Sequence, residues 1–247
     1  MKIIEVESYE DMSRKAADII KGVVCSKPNA VLGLATGSTP EGVYRCLIED
    51  NKKGLIDFSK VTSFNLDEYE GLDGSNPNSY RYYMDNKLFN HINIHKERTF
   101  VPDGMAEDLE KECKAYDEKI SLAGGIDLQL LGIGSNGHIG FNEPSDMLIP
   151  STHVTDLTEE TIKANSRFFP SLDQVPRRAV TMGMGSILKA RRILLLASGK
   201  NKADVIARLL QGEISTSLPA SMLHMHRDVT LIVDKEAASK INDDCCA

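Results

Sequence analysis

Short apolar runs alternate along the chain with amphipathic stretches, and this alternation does most to narrow the folds available. "AVLGLA" (30–35), "VTSFNL" (61–66), "IDLQLLGI" (126–133), "RRILLLAS" (191–198) and "VTLIVD" (229–234) are the length of strands buried on both faces. Between them "SYEDMSRKAADIIKGVVC", "PEGVYRCLIEDNKKG", "SYRYYMDNKLFNHI", "AEDLEKECKAYDEKISL" and "KADVIARLLQG" carry apolar residues at helical spacing. The pattern predicts an α/β fold: a mainly parallel, twisted, doubly wound Rossmann-like sheet with helices on both faces. No internal repeat, low-complexity segment or Pro/Gly/Ser-rich linker divides the sequence, so residues 1–247 are expected to form a single domain.

Composition limits the partners. A formal net charge of −7 over 247 residues, with no basic stripe, is unfavourable for wrapping a polyanion, so nucleic acid is not an expected partner. No run reaches the ~18 apolar residues of a membrane helix, and no membrane partner is expected. The segment "MKIIEVESYEDMSRKAADII" lacks the apolar core of a signal peptide. Cys25, Cys46, Cys113, Cys245 and Cys246 are odd in number and lack metal-site or disulfide spacing, so reduced thiols and a cytoplasmic location are expected. The ending "DDCCA" does not meet the prenylation pattern and reads as a solvated tail.

In open parallel sheets ligands bind beyond the carboxyl ends of strands. After 30–35 comes "TGSTPEGVY". Gly37 permits a tight turn, Ser38 or Thr39 is a candidate helix cap, and Pro40 suits a first helical turn. Free amides and a positive helix end at a strand tip favour a phosphate, although a capped helix with no ligand fits the same residues. The Gly-Lys-Ser/Thr ending of a nucleoside-triphosphate loop is missing, which points to a sugar phosphate rather than ATP. After 61–66 comes "DEYEGLDGSNPNSY". Adjacent side chains on extended backbone point opposite ways, so only one of Asp67 and Glu68 is expected to face the cleft, where a carboxylate could serve as a general base. Taken alone, the Asp-Glu pair is read rather as a surface acidic turn before a helix capped near Asn78.

"LLGIGSNGHIGFNEP" satisfies G-x-G-x-x-G directly after a strand pattern, yet its continuation is broken by Gly140, Pro144 and Pro150 and does not start a helix. A dinucleotide fingerprint requires that helix, so a nicotinamide oxidoreductase is disfavoured and no cofactor is expected. The loop carries His138 and Glu143, an imidazole able to exchange protons near neutrality and a carboxylate able to fix its tautomer. His91, His95, His153, His224 and His226 form no recognisable metal set. "HMH" would place two imidazoles on one face of a strand, without supporting ligands, so no metal is expected.

Taken together, "GLATGSTP", "SFNLDEYEGL", "NPNSY", "LLGIGSNGHIGFNEP", "IKANSRFF" and "TMGMGSIL" resemble the glucosamine-6-phosphate deaminase family in order and spacing from end to end. The resemblance implies conversion of D-glucosamine 6-phosphate to fructose 6-phosphate and ammonia, in amino-sugar catabolism. By it, His138 is the ring-opening histidine, Asp67 the base that carries the C2 proton to C1, and Glu143 the acid that holds the histidine. Gly37, Ser38 and Thr39 would bind the phosphate, joined by Arg167 and Lys202. Asn136 stands where several relatives have Asp, and as an amide it can orient an imidazole without supplying charge. His153 and Thr155 occupy the positions of a basic pair in allosterically activated members, so activation is expected to be absent or much reduced. Residues 150–184 resemble a helical lid. The assembly implied is a monomer or small homo-oligomer.

Three alternatives stand beside this reading. A galactosamine-6-phosphate deaminase differs by one hydroxyl. A 6-phosphogluconolactonase needs no base to move a proton from C2. A sugar-phosphate sensor would need a DNA-binding module, for which the chain has neither spare length nor a basic recognition helix.

Overall fold

The structure is a computed structural model and describes residues 1–166, 169 and 171–241, the side chains of 160, 164 and 165 excepted. In chain order the elements are β1 (Lys2–Val6), α1 (Tyr9–Ser26), β2 (Val31–Leu34), α2 (Glu41–Lys52), β3 (Thr62–Asn65), β4 (Asp67–Tyr69), α3 (Tyr80–Lys87), β5 (Thr99–Phe100) and α4 (Leu109–Leu122). They continue with β6 (Leu128–Gly132), β7 (His153–Asp156), α5 (Glu159–Asn165), β8 (Arg178–Thr181), α6 (Met184–Leu188), β9 (Ile193–Ala197), α7 (Ala203–Leu210), β10 (Val229–Asp234) and α8 (Lys235–Ala238).

Seven strands form one parallel sheet in the order β1-β10-β9-β6-β2-β3-β5. One face is covered by α1, α2 and α3 through residues such as Ile20, Tyr44, Leu47 and Met84. The other is covered by α4, α6, α7 and α8 through Tyr116, Ile187, Leu209 and Ala237. The doubly wound sheet is as expected. Each helix contributes an apolar stripe to one of these cores; α1, for example, buries Met12, Ala16, Ile20 and Val23 and begins where Ser8 Oγ accepts from Asp11 N at 3.2 Å.

After β2 the chain winds outward through β3 to β5, then returns to lay β6 on the other side of β2. Strand order therefore reverses between β2 and β6, and the loops that follow these two strands open side by side.

The structure adds strands that the alternation did not announce. β1 is an edge strand, half exposed on both faces, and its "KIIEV" lacks the continuous apolar run of the inner strands. A second sheet, antiparallel in the order β4-β8-β7, pairs Asp67 with Thr181 and His153 with Thr181 on the other side. The run 61–66 thus ends at a bend at Leu66, beyond which the chain changes sheets. The helix expected over 79–92 stops at Lys87, where Leu88 takes φ −144°, and a 3-10 turn follows at Phe89–His91.

Candidate active site

The loops after β2, β3 and β6, with the turn before α7, enclose a cavity of about 920 Å³. Asp67, His138, Gly37, Ser38, Thr39 and Lys202 all line it. Arg167 lies outside the described residues.

The β2 loop differs from its expected form in one respect. Neither Ser38 nor Thr39 caps α2; Pro40 is the cap residue and supplies no side-chain bond. The helix end is instead closed by α1, whose Tyr9 hydroxyl accepts from Gly42 N at 2.8 Å and faces the carbonyls of Ser38 and Thr39 at 3.0 and 3.2 Å. Tyr83 Oη donates to Gly37 O at 2.6 Å and Tyr44 Oη to Ala35 O at 2.5 Å. Three tyrosines thus hold the loop by its carbonyls, while the amides of Gly37, Ser38 and Thr39 donate to no acceptor among the described residues. Gly37 sits at φ +92°, a backbone that L side chains resist. Sequence reasoning missed these tyrosines, because hydroxyls reaching across 9 to 46 residues from three different helices leave no common spacing to read.

Lys202, at the turn before α7, is half-buried, and burial lowers its pKa from the usual lysine value. Among the described residues no carboxylate pairs with it. Its turn is pinned from below: Asp234 accepts from Gly199 N at 3.0 Å and from Ala237 N at 2.8 Å. A desolvated cation opposite a row of free amides is suited to an anion.

Adjacent carboxylates on β4 part as extended backbone requires. Asp67 lines the cavity, only 5% exposed, and accepts no hydrogen bond among the described residues. Burial, and secondarily the charge of Glu68, push it up to about 8. Glu68 turns away and clasps the start of α3, accepting from Tyr80 N, Arg81 N and Tyr69 N at 2.9 Å each. Burial raises it to about 7 against the pull of those three amides. The surface acidic turn is therefore excluded, and α3 is capped at Ser79, whose Oγ accepts from Tyr82 N at 3.0 Å.

The loop after β6 shows why its glycines recur. No helix starts within the pattern; the loop closes on itself through Gly134 N to His138 O and Gly137 N to Gly134 O, both 3.0 Å. A Cβ on Gly134 would lie 2.3 Å from His138 Nδ1, so the position is glycine because the imidazole lies against it. His138 Nδ1 meets Asn136 Oδ1 at 2.8 Å and lies 3.4 Å from Glu143 Oε2, which accepts from Asn136 Nδ2 at 2.8 Å. Nε2 has no partner among the described residues. Burial opposes ionisation of Glu143, but His138, Thr161 and Asn136 together hold it down at about 2. The far side of the loop reaches β4 and β8, since a Cβ on Gly140 would be 3.4 Å from Asp67 Oδ2 and Phe141 N donates to Thr181 Oγ1 at 3.2 Å.

Tyr69, Tyr80, Phe141 and Phe169 form an aromatic wall on the cavity, with Tyr69 and Tyr80 ring centres 4.8 Å apart. The "HMH" imidazoles are elsewhere and on no strand: His224 Nε2 meets Leu209 O and His226 Nε2 meets Ala190 O, both at 2.7 Å.

The family of glucosamine-6-phosphate isomerases and 6-phosphogluconolactonases matches residues 5–232. The chain belongs to this family. It is 59% identical to a glucosamine-6-phosphate deaminase of Thermoanaerobacter sp. (strain X514), over 99% of this chain and 96% of that one. It is 58% identical to the protein of the same name from Clostridium beijerinckii, over 98% and 100% of the two chains. Among solved structures, a monomeric glucosamine-6-phosphate deaminase superposes with TM-score 0.95 at 51% identity, covering 97% and 100%. The 6-phosphogluconolactonase of Trypanosoma brucei superposes with TM-score 0.76 at 19% identity, covering 98% of each chain, which shows a shared fold within the family.

Proposed function

We propose that this family member converts D-glucosamine 6-phosphate and water to D-fructose 6-phosphate and ammonia. The observation that carries the reading is the meeting, in one cavity, of an anion cradle, a desolvated carboxylate and a carboxylate-supported imidazole. The deaminase names of relatives near 59% identity support the same reaction.

In this reading the phosphate sits on the amides of Gly37, Ser38 and Thr39 with Lys202 and Arg167 beside it. Nε2 of His138 faces the sugar, takes the proton of the anomeric hydroxyl and returns one to the ring oxygen, which opens the ring. Asn136 and Glu143 hold Nδ1 meanwhile. Asp67, with no competing hydrogen bond, takes the proton from C2 to give an enolamine and delivers it to C1. The resulting imine at C2 adds water and releases ammonia, leaving the ketone. A carboxylate near 8 is matched to removing a weakly acidic proton at neutral pH, work usually worth ~10²–10⁴-fold in rate. Lactone hydrolysis would give Asp67 no such proton to move.

The reading extends to three further features. The segment 150–184 acts as a lid, with α5 and Phe169 as its cavity-facing parts; amides of α5 unprotected by a bound substrate analogue in hydrogen exchange would contradict this. With His153 and Thr155 on β7 in place of a basic pair, the rate curve is hyperbolic, and N-acetylglucosamine 6-phosphate does not change it. The protein is a cytoplasmic monomer or small homo-oligomer, checked by fractionation and sedimentation; among the described residues no helix is long and apolar enough to cross a membrane.

The test is ammonia release from glucosamine 6-phosphate and galactosamine 6-phosphate, beside hydrolysis of 6-phosphogluconolactone. Ammonia and fructose 6-phosphate in equal amounts from the gluco substrate are expected. Lactone hydrolysis without ammonia, or turnover of the galacto epimer alone, would overturn the assignment.

A further inference from the structure

Glu143 is held at both oxygens by different parts of the chain. Oε2 faces Asn136 and His138, its neighbours in the loop after β6. Oε1 accepts a 2.6 Å hydrogen bond from Thr161 Oγ1, which arrives from α5, 18 residues further on. The Thr161 hydroxyl is itself part of a chain: Thr158, the cap of α5, donates from Oγ1 to Thr161 Oγ1 at 3.0 Å and accepts from Thr161 N at 3.2 Å. Successive donation of this kind polarises the last hydroxyl towards the carboxylate.

The arrangement matters because the last torsion of a glutamate is broad, so a single contact leaves the carboxylate plane free to turn. With Asn136 on one oxygen and Thr161 on the other, the plane is fixed and Oε2 stays on the imidazole side. Beside Thr161, Ile162 anchors α5 in a small apolar cluster with Leu157 and Val175. The hydroxyl therefore reaches Glu143 when that cluster is packed.

We propose that Thr161 is a positioning residue of the reaction: its hydroxyl, delivered by α5, fixes the Glu143 carboxylate towards His138 and so couples the seating of α5 to proton transfer at the imidazole. This rests on the deaminase reading above. Thr161 donates to Glu143 and not to His138, and acts on the imidazole through that carboxylate.

The test compares Thr161→Val, which keeps the shape and loses the hydroxyl, with Thr161→Ser, which keeps the hydroxyl, by steady-state ammonia release from glucosamine 6-phosphate. Melting temperatures of both variants check that they are folded. The valine variant should lose roughly tenfold or more in kcat with KM within about threefold, and the serine variant should stay within about threefold of wild type in both. In a Glu143→Gln background the valine change should cost less than about twofold, since the two residues act as one unit. Wild-type kcat in the valine variant, equal losses in valine and serine, or full additivity with Glu143→Gln would overturn the proposal. A wild-type protein that released no ammonia would overturn the activity, and this role with it.

Discussion

Asp67 and Glu68 are chain neighbours whose carboxyl groups do opposite things: Asp67 faces the cavity with no donor among the described residues, and Glu68 is bound by the amides that open α3. Asp67 of β4 thus faces the cavity while the next residue holds the start of α3, whose Tyr83 in turn donates to the carbonyl of Gly37. β4 and the β2 loop are thus linked through α3, by Glu68 at its start and Tyr83 within it.

Burial of Asp67 has a consequence for stability. Its carboxyl is raised from 3.8 unfolded to about 8 folded, so its contribution is fully present below pH 3.8 and is lost as pH rises through about 8. Asparagine suffers no such loss. Asp67→Asn should therefore unfold less readily than wild type near pH 8, by on the order of 1–3 kcal/mol in denaturant melts, with the difference closing towards acid pH.

The same shift sets the sign of the pH dependence. Asp67 must lose its proton to act as a base, so kcat/KM should fall on the acid side with a midpoint well above the ordinary carboxylate range, towards 8. Glu68→Gln removes a neighbouring charge and should move that limb to lower pH. A limb near 4 in wild type, or one that moves upward in Glu68→Gln, would show that another group governs it.

Lys202 tests the anion cradle. Lys202→Met preserves most of the stem and deletes the charge, and should raise KM by about 10–100-fold with a smaller change in kcat, because a phosphate contact binds substrate and transition state alike. Equal KM values would place the phosphate elsewhere.

Gly134→Ala tests the packing of the imidazole. The added methyl would sit 2.3 Å from the His138 ring, so the ring must move. A displacement of this size should cost about 10²-fold in kcat, while binding of inorganic phosphate at the β2 loop stays near wild type.

The parallel sheet and five of its helices were legible because inner strands and amphipathic helices write their periods locally. β1, β5 and the sheet β4-β8-β7 were not, because two- to five-residue strands at edges or in crossings carry too few residues to show a period. At the site, Asp67, His138, Gly37, Ser38 and Thr39 line one cavity as their places after strands implied, with Glu143 beside His138; Asn136 and Lys202, which only the family resemblance singled out, lie with them. Two points escaped the sequence. Tyr9, Tyr44 and Tyr83 reach the β2 loop from helices, and Gly134 answers to the bulk of an imidazole rather than to a pyrophosphate. Both depend on tertiary approach, which spacing along the chain does not encode.

In the proposed reaction Asp67 moves the substrate's C2 proton inside the cavity it shares with His138. Ammonia and fructose 6-phosphate should be measured together, from glucosamine 6-phosphate, for the wild type and for folded Asp67→Asn. Equal amounts of the two products are expected from the wild type, and a loss of roughly 10²-fold or more in kcat for the variant. Undiminished turnover by Asp67→Asn would contradict it.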